Sequence, residues 1–408
     1  MFLSSFLTTS LLDLVLGLQV YTYPSTYSQC ESFGCRSVWI ERPDGFVVME
    51  NVNAVNLKEL FDKLSKSFIQ IDRDVHKEYC VYITKKQNID SMSLGQFLKS
   101  NLSCKDFELL GLKDAHAIAY QVVILFGCRK LEGSIKIVSD STVVEAYLWF
   151  CSQSKPVLVH NSNEFDIRII VDRHDALDNL LRAINMLKDH DYQFLNFFGY
   201  QRFGSRRPIT HILGKALIKE DFDLFLKVLC RDAPKKLGVL HKSLEDRLCR
   251  ADNVRIDEEL KHLLKNSMYS RIIKLFVNAY QAYLFNRLLS KIWLSVVETH
   301  NVRDGLHALR EKYRYIPLPG YKINLSENIK RFFDEIVETE GIDMKMFCKN
   351  RLERLCFYGD YRESISKAFG FNYKTEGNAI LLSFGLPPGS YATVLLREII
   401  RCNPLSYT

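Results

Sequence analysis

Apolar residues recur along this chain with two periods, and the changes between them divide the sequence into three parts. Up to about residue 190, short apolar runs that indicate strands are mixed with stretches of helical spacing. From there to about residue 350 the spacing is mostly helical, and strand character returns near the C-terminus. The pattern predicts an α/β or α+β fold, in which a helical second domain is inserted into a sheet domain.

The same patterns predict the individual elements. Strands are predicted at residues 46–49, 79–84, 135–138, 157–159, 165–171 and 380–384. Helices are predicted at residues 9–17, 57–68, 93–102, 176–186, 221–230, 239–248, 257–264, 271–297 and 391–400. The aromatic residues in the long helix at 271–297 are more typical of a core than of a ligand site.

Asp114 lies between two strand-like apolar runs. The first run ends at Leu110, and the second begins at Val122. An acidic side chain there sits at a strand end, where a rigid backbone can aim it into a cleft. The alternative is a surface turn formed by Lys113 and Asp114, and this stretch alone favours the turn.

Composition sets broad limits. The chain has 408 residues, which favours two domains, and its 47% hydrophobic residues are enough for a sizeable core. A net charge of +7 would suit a phosphate-bearing partner, although many enzymes are equally basic. The 11 cysteines include no C-x-x-C pair, so we expect buried free thiols in a reducing compartment.

The apolar N-terminus could be mistaken for a signal peptide. It lacks a positive leading region, and Asp13 interrupts the apolar run, so an amphipathic helix that ends at Gly17 is the better interpretation. No apolar stretch reaches the ~18 residues that span a bilayer. The sequence therefore predicts a soluble intracellular protein, in the cytoplasm or the nucleus.

Phosphate-loop, dinucleotide-loop, zinc-protease and serine-hydrolase motifs are absent, and the 10 histidines show no ligand spacing. What remains is Asp114, together with segments rich in aromatic residues, glycine and arginine. An ionised carboxylate can act as nucleophile or base without a cofactor. Arginines beside aromatic residues suit phosphate contact and base stacking, so the residues alone indicate an RNA-acting enzyme.

Four segments, in order, resemble signatures of the TruD family of pseudouridine synthases, in its archaeal and eukaryotic branch. One is G-x-K-D-x-x-A-x-x-x-Q at residues 111–121. The others are N-F-F-G-Y-Q-R-F-G at 196–204, Q-A-Y-L-F-N at 281–286, and F-G-L-P-P-G-S-Y-A-T at 384–393 followed by Arg397 and Glu398. Phe46 and Glu50 also fit an early strand of the family.

The resemblance implies a pseudouridine synthase catalytic core with a mixed, mainly antiparallel sheet flanked by helices, plus an inserted, largely helical TRUD domain. The core would comprise residues 1–194 and 350–408, the insertion 195–349, and the cleft between them would receive RNA. It implies Asp114 as the catalytic aspartate. It also implies uridine-pocket residues, namely Phe46, Asn196, Phe198 and Phe384.

The implied reaction turns uridine into pseudouridine, most often at position thirteen in the D-arm of tRNA, without a metal or an organic cofactor. Asp114 could attack the ribose or remove its C2′ proton, and both routes stay open. Phe46 and Phe384 could stack on the base, and Asn196 could bond Asp114 or the uracil. Without the family, Asn196 could merely tie down a loop and Phe384 could be core.

Basic residues near these motifs are candidates for RNA binding, namely Lys113, Arg202, Arg206, Arg207 and Lys215. Lys113 could instead pair with a carboxylate, and the arginines could form a solvated surface. Arg397 is expected to form a structural ion pair.

Three positions depart from the family pattern: Ile40 and Ala115, where basic residues are common, and Ala119, where threonine is common. They raise the alternative of a catalytically retired, RNA-binding homologue, which the retained Asp114, Asn196 and Phe384 oppose. A monomer is expected, with small nuclear RNA and mRNA as further substrates.

Overall fold

The computed structural model describes residues 3–24, 37–67, 78–139, 141–204, 207–232, 242–250, 256–348, 352 and 355–408. Its strands are β1 Val38–Ile40, β2 Phe46–Val52, β3 Val55–Asn56, β4 Tyr79–Gln87, β5 Asp106–Leu109, β6 Ile118–Phe126, β7 Ser134–Val138, β8 Val143–Ser152, β9 His160–Val171, β10 Gln193–Leu195, β11 Tyr315–Leu318, β12 Asp360–Glu363, β13 Ile365–Lys367, β14 Phe369–Glu376 and β15 Ala379–Leu386. Its α-helices are α1 Leu11–Val15, α2 Leu57–Leu64, α3 Ser91–Asn101, α4 His174–Asp189, α5 Thr210–Lys219, α6 Phe222–Leu226, α7 Lys242–Leu248, α8 Ile256–Lys265, α9 Ser267–Val297, α10 Val302–Lys312, α11 Glu327–Glu340 and α12 Ala392–Ile400.

The chain divides into two compact units, both of them discontinuous. The sheet unit comprises residues 36–179 and 367–389, and the helical unit comprises residues 1–35, 180–366 and 390–408. The boundary passes through α4. These units group the chain termini with the middle of the chain, whereas the predicted domains joined both termini to the sheet. The insertion of a TRUD domain stays a prediction.

The sheet unit contains an 11-stranded sheet in which β14, β15, β9, β2, β6, β4, β8 and β7 are neighbours in that order. Strands β1, β3 and β5 extend it by pairing with β9, β2 and β6. Only β2 and β6 run parallel among these pairs. The predicted α+β class, with a mixed and mainly antiparallel sheet flanked by helices, is confirmed.

Helices α2 and α3 cover opposite faces of this sheet, because side chains alternate along each strand. In β4, Cys80 and Tyr82 pack in the cluster that contains α3, whereas Val81 and Ile83 pack in the cluster that contains α2. At Gly95 of α3 a Cβ atom would lie 2.2 Å from the Phe107 ring, so only glycine lets α3 approach β5 this closely. Two buried layers thus hold the sheet rigid.

In the helical unit, α5, α8, α10 and α11 pack against the 31-residue helix α9. A Cβ atom at Gly214 of α5 would lie 2.0 Å from the Phe276 carbonyl oxygen, so the two helix backbones touch. Four of the six aromatic residues of α9 are buried, in agreement with the expected core role; Phe276 and Tyr280 are at most 2% exposed.

A buried ion pair fastens the N-terminal segment to α12. The Arg397 guanidinium donates from Nε to Asp13 at 2.6 Å, and its other nitrogens donate to the carbonyl oxygens of Leu18 and Val20. Both charged side chains are at most 1% exposed. The predicted structural role of Arg397 is confirmed, and the predicted leading helix is the shorter α1, after which Gly17 has a φ of +76°.

Some expectations are wrong. Residues 157–159 are not a strand, and Val157 is 86% exposed, whereas β8, which the sequence analysis did not predict, forms a full strand. Residue 68, the expected end of α2, and residues 239–241 lie outside the described residues. No helix among the described residues is long and apolar enough to cross a membrane.

The expectation of free thiols is also wrong for eight cysteines. They form four disulfides, namely Cys80–Cys151, Cys104–Cys128, Cys230–Cys249 and Cys348–Cys356, while Cys402 is free and buried. Each pair is brought together by folding rather than by sequence spacing; Cys80 and Cys151, for example, are paired residues of β4 and β8.

Candidate active site

Asp114 lies in the loop between β5, which ends at Leu109, and β6, which begins at Ile118, so it stands between two strands as the sequence predicted. Its carboxylate accepts a hydrogen bond from the Arg42 guanidinium at 2.7 Å and another from the His116 backbone N–H at 3.0 Å. The second bond is a local turn that fixes the side chain relative to its own backbone. Asp114 and Arg42 side chains are 10% and 11% exposed, so this ion pair is largely shielded from water.

Lys86 holds the backbone of the same loop. Its ammonium donates to the carbonyl oxygens of Asp114 and of Ile89, the latter at 2.8 Å. The residue is completely buried, and this burial lowers the pKa of Lys86 to about 8, although the charges of Asp114 and Asp90 act in the opposite direction. A buried ammonium group therefore contacts the backbone of the candidate catalytic residue.

Lys113 pairs with Glu50 of β2 at 2.6 Å, and the two side chains are 7% and 0% exposed. Glu50 also accepts from the Val122 backbone N–H at 3.0 Å. The structural alternative for Lys113, a carboxylate partner, is therefore what the structure shows.

Gln121 completes the first signature segment. Its side-chain oxygen accepts from the Ser91 hydroxyl at 2.9 Å, and Ser91 Oγ accepts from the Lys113 backbone N–H at 2.8 Å. Each polar residue of the signature thus shapes the loop that carries Asp114. The Gln121 Nε2 atom is buried without a hydrogen-bond partner, so the network fixes the loop through the Gln121 oxygen and Ser91.

A row of phenylalanines crosses four neighbouring strands, β14, β15, β9 and β2, on the sheet face that carries Glu50 and Lys86. Phe165 of β9 is paired with Phe384 of β15, and their rings lie 5.3 Å apart at 25°. Phe371 of β14 lies 5.7 Å beyond Phe384 at 15°, and Phe46 meets Phe165 edge to face. Phe384 is 3% exposed and already stacked.

Arg42 joins this row to Asp114. Its guanidinium carbon lies 4.1 Å from the centroid of the Phe46 ring, while its Nη1 bonds the Asp114 carboxylate. Burial lowers the pKa of Arg42, and the charge of Asp114 raises it. Two residues that were predicted separately, one catalytic and one substrate-binding, therefore share one cation.

In the helical unit, Asn196 follows β10 and is 7% exposed. Its side-chain oxygen accepts from Arg362 at 2.6 Å and from the Ser390 hydroxyl at 3.2 Å, and its Nδ2 donates to the Glu363 carbonyl oxygen at 3.0 Å. The Arg362 guanidinium carbon lies 4.2 Å from the centroid of the Phe198 ring. One arginine of β12 thus holds two predicted pocket residues.

The second signature segment is fastened to the fourth. A Cβ atom at Gly199 would lie 2.8 Å from Thr393 Oγ1 and 2.9 Å from Tyr391, so glycine is needed for the contact. Thr393 also donates to Gln201 at 2.9 Å. The two signatures are far apart in the sequence but pack directly against each other in the structure.

The candidate RNA-binding arginines differ from one another. Arg202 is partly exposed, and its guanidinium carbon lies 5.5 Å from the centroid of the Phe198 ring. Arg207 is 3% exposed and is bonded to Glu245 and to the Leu229 carbonyl oxygen, so it does not offer its charge to solvent. Arg206 lies outside the described residues, and Lys215 pairs with Glu340 at 2.7 Å.

The sequence analysis missed Arg42, Lys86 and Arg362. Arg42 stands in the turn before β2, two positions after Ile40, which is buried in β1. Arg42 supplies a cation beside Asp114, whereas Ile40 belongs to the sheet. The basic pair Lys85-Lys86 at the end of a predicted strand was a signal for Lys86, and nothing local distinguishes Arg362.

A family model for tRNA pseudouridine synthase D (TruD) matches residues 26–273 and 295–399. The chain belongs to the TruD family. The resemblance of its signatures is confirmed, and with it the enzyme class that the family name carries, a tRNA pseudouridine synthase, which is an isomerase.

Several archaeal relatives are named probable tRNA pseudouridine synthase D. The one from Saccharolobus solfataricus is 30% identical over 97% of this chain and 99% of its own length. The one from Thermococcus sibiricus is 30% identical over 79% and 88%. A crystal structure from Methanosarcina mazei that carries the TruD name covers 96% of this chain and 98% of its own, with a TM-score of 0.55 and 20% identity, which shows the shared fold.

Among the described residues, no cluster of three or more histidine, cysteine, aspartate or glutamate side chains could hold a metal ion.

Proposed function

We propose that this TruD protein isomerises uridine to pseudouridine in tRNA, with Asp114 as its catalytic residue. The observation that carries the proposal is the placement of Asp114: a shielded carboxylate in the loop between β5 and β6, held by Arg42 at 2.7 Å and by the His116 N–H at 3.0 Å. A carboxylate fixed on a rigid sheet can meet a ribose carbon in one geometry.

The reaction breaks the bond between uracil N1 and ribose C1′, turns the base, and joins C1′ to C5. The proton that leaves C5 is matched by one that N1 gains, so no atom or electron is added. Asp114 either attacks C1′ or removes the C2′ proton, and both routes need its ionised form. Neither route calls for a metal or an organic cofactor.

We propose Phe46, Asn196, Phe198 and Phe384 as the residues that bind the target uridine after it leaves its stack. Because the Phe384 ring is already stacked against Phe165 and Phe371, we expect it to meet the uracil by its edge. Among the described RNA-binding candidates we propose Arg202 as the one that meets a phosphate, since Arg207 and Lys113 have carboxylate partners.

The proposed substrate is the D-arm uridine at position thirteen of tRNA, with small nuclear RNA and mRNA as further candidates. We propose a monomer that works in the cytoplasm or the nucleus, where these RNAs are made and used.

The test is to incubate unmodified tRNA with the wild type, Asp114→Ala and Asp114→Asn, and to map pseudouridine by carbodiimide chemistry. We expect product from the wild type and a loss of more than about a thousandfold in both variants. Asp62→Ala is the matched control, because it removes an exposed aspartate of α2 that pairs with Lys58.

Wild-type protein that makes no pseudouridine in any of these RNAs would overturn the enzyme proposal, and RNA binding without product would support the retired homologue. Equal product from Asp114→Asn would remove Asp114 as the catalytic residue.

A further inference from the structure

The amide of Asn196 is fixed in one orientation. A guanidinium can only donate, so the amide atom that faces Arg362 must be the oxygen. That oxygen also accepts from the Ser390 hydroxyl, so the bonds from Arg362 and Ser390 together occupy both of its lone pairs. Of the two N–H groups, one donates to the Glu363 carbonyl oxygen. Asn196 is therefore left with a single N–H and no acceptor to offer a ligand.

Arg362 is built to impose this orientation. Its Nε donates to the Asn196 carbonyl oxygen at 2.8 Å while its Nη2 donates to the Asn196 side chain at 2.6 Å, so the planar fork spans one residue. A third bond reaches the Phe197 carbonyl oxygen at 3.4 Å. Substitution by any other residue loses this fork.

The electrostatic setting of Arg362 is unusual. Among the described residues no carboxylate lies within 4.0 Å of it, and its surroundings are the rings of Phe198 and Tyr391 at 4.2 and 5.9 Å. Burial lowers the pKa of Arg362 to about 10, an effect that Tyr391 opposes and Arg202 reinforces, so it remains charged at neutral pH. A buried charge without a counter-charge is costly, and its hydrogen bonds to Asn196 and Phe197 are what offset the cost.

We infer that Arg362 is a positioning residue that turns Asn196 into a donor-only group for a carbonyl oxygen of the target uracil. The inference rests on the proposed function, because it takes Asn196 as part of the uridine pocket. Uracil offers two carbonyl acceptors, O2 and O4, and one N3–H donor. An amide held by Arg362 can bond either carbonyl and cannot bond N3–H, which fixes how the base is approached.

Thio-substituted substrates test this directly, because sulfur accepts hydrogen bonds poorly. Single-turnover rates are measured on one RNA that carries uridine, 2-thiouridine or 4-thiouridine at the target. For the wild type we expect one of the two thio substrates to react about tenfold more slowly than uridine, the effect of one lost hydrogen bond. For Arg362→Met we expect the ratio of the uridine rate to the rate on that thio substrate to fall to about one, with RNA affinity within about threefold of wild type.

Arg362→Lys is the conservative variant, since an ammonium can still donate to the Asn196 oxygen; we expect it to retain most of the wild-type ratio. If Arg362→Met does not fold, Arg362→Gln replaces it, because a glutamine amide can present either an oxygen or an N–H and no longer forces the orientation.

A merely structural role for Arg362 would slow all three substrates equally and leave the ratio unchanged, which would overturn the inference. So would a wild type that does not discriminate against either thio substrate. A wild type that fails on uridine itself would instead overturn the proposed function.

Discussion

Lys86 carries a buried charge whose cost can be measured as a pH dependence of stability. Burial lowers its pKa from 10.5 to about 8. At pH 7 the charged form therefore destabilises the fold by about 3 kcal/mol relative to an ordinary lysine, since each pKa unit corresponds to about 1.4 kcal/mol.

The sign follows from proton binding. Between pH 8 and pH 10.5 the unfolded chain binds the Lys86 proton and the folded chain does not, so stability rises with pH in this window. The penalty is fully present below pH 8 and is relieved as Lys86 deprotonates. Between pH 7 and pH 10 the relief amounts to about 2.5 kcal/mol.

The assay is urea unfolding at pH 7 and pH 10 for the wild type and Lys86→Met. A Trp293→Phe background leaves Trp39 and Trp149, both in the sheet unit, as the fluorescent reporters. We expect the change in free energy of unfolding between the two pH values to be about 2.5 kcal/mol more favourable with Lys86 than with methionine.

The change in free energy of unfolding between pH 7 and pH 10 is compared between the two proteins, so that the contributions of titrating groups common to both cancel. Lys85→Met, in the same strand, controls for the loss of one positive charge. Equal pH dependences for the wild type and Lys86→Met would refute the reasoning, because they would mean that Lys86 titrates alike in both states.

Two further predictions concern buried ion pairs and use the same unfolding assay. Glu50→Gln leaves the Lys113 ammonium, which is 7% exposed, without its anion, so we expect the free energy of unfolding to fall by about 3–5 kcal/mol. Adding Lys113→Met should restore part of that stability, and a fall below about 1 kcal/mol in the single variant would contradict the prediction. Arg397→Met removes the partner of Asp13 and the donor to the carbonyl oxygens of Leu18 and Val20. We expect a similar fall in the free energy of unfolding and faster proteolytic cleavage before residue 24. An unchanged cleavage pattern would argue against this role of Arg397.

Local pattern was enough to place Asp114, because the apolar runs on either side of it become β5 and β6. It could also identify the aromatic and glycine signatures, whose residue types are unusual in themselves. It could not identify the partners that hold them. Arg42 bonds a residue 72 positions away, and Arg362 bonds one 166 positions away. Such contacts are created by strand order, on which periodicity carries no information.

The same limit explains why the cysteines were misjudged. Cys80 and Cys151 are separated by 71 residues and meet only because β4 and β8 are neighbours in that register. Composition suggested isolated apolar thiols, and the pairing of strands placed the sulfur atoms side by side. The strand missed at β8 was the missing step, since without it Cys151 has no position in the sheet.

The retired-homologue alternative drew on three departures from the family pattern, among them Ile40, which stands where a lysine is common in the family. In the structure Ile40 is a β1 residue paired with Ile169 of β9, so its role is to extend the sheet. Arg42, two positions later, supplies the cation at 2.7 Å and also covers the Phe46 ring. Asp114 therefore has a cation beside it although Ile40 is apolar. A shielded arginine–aspartate pair is also found in a structural role, between Arg397 and Asp13, so the comparison of the wild type with Asp114→Asn is what separates the active enzyme from a retired homologue.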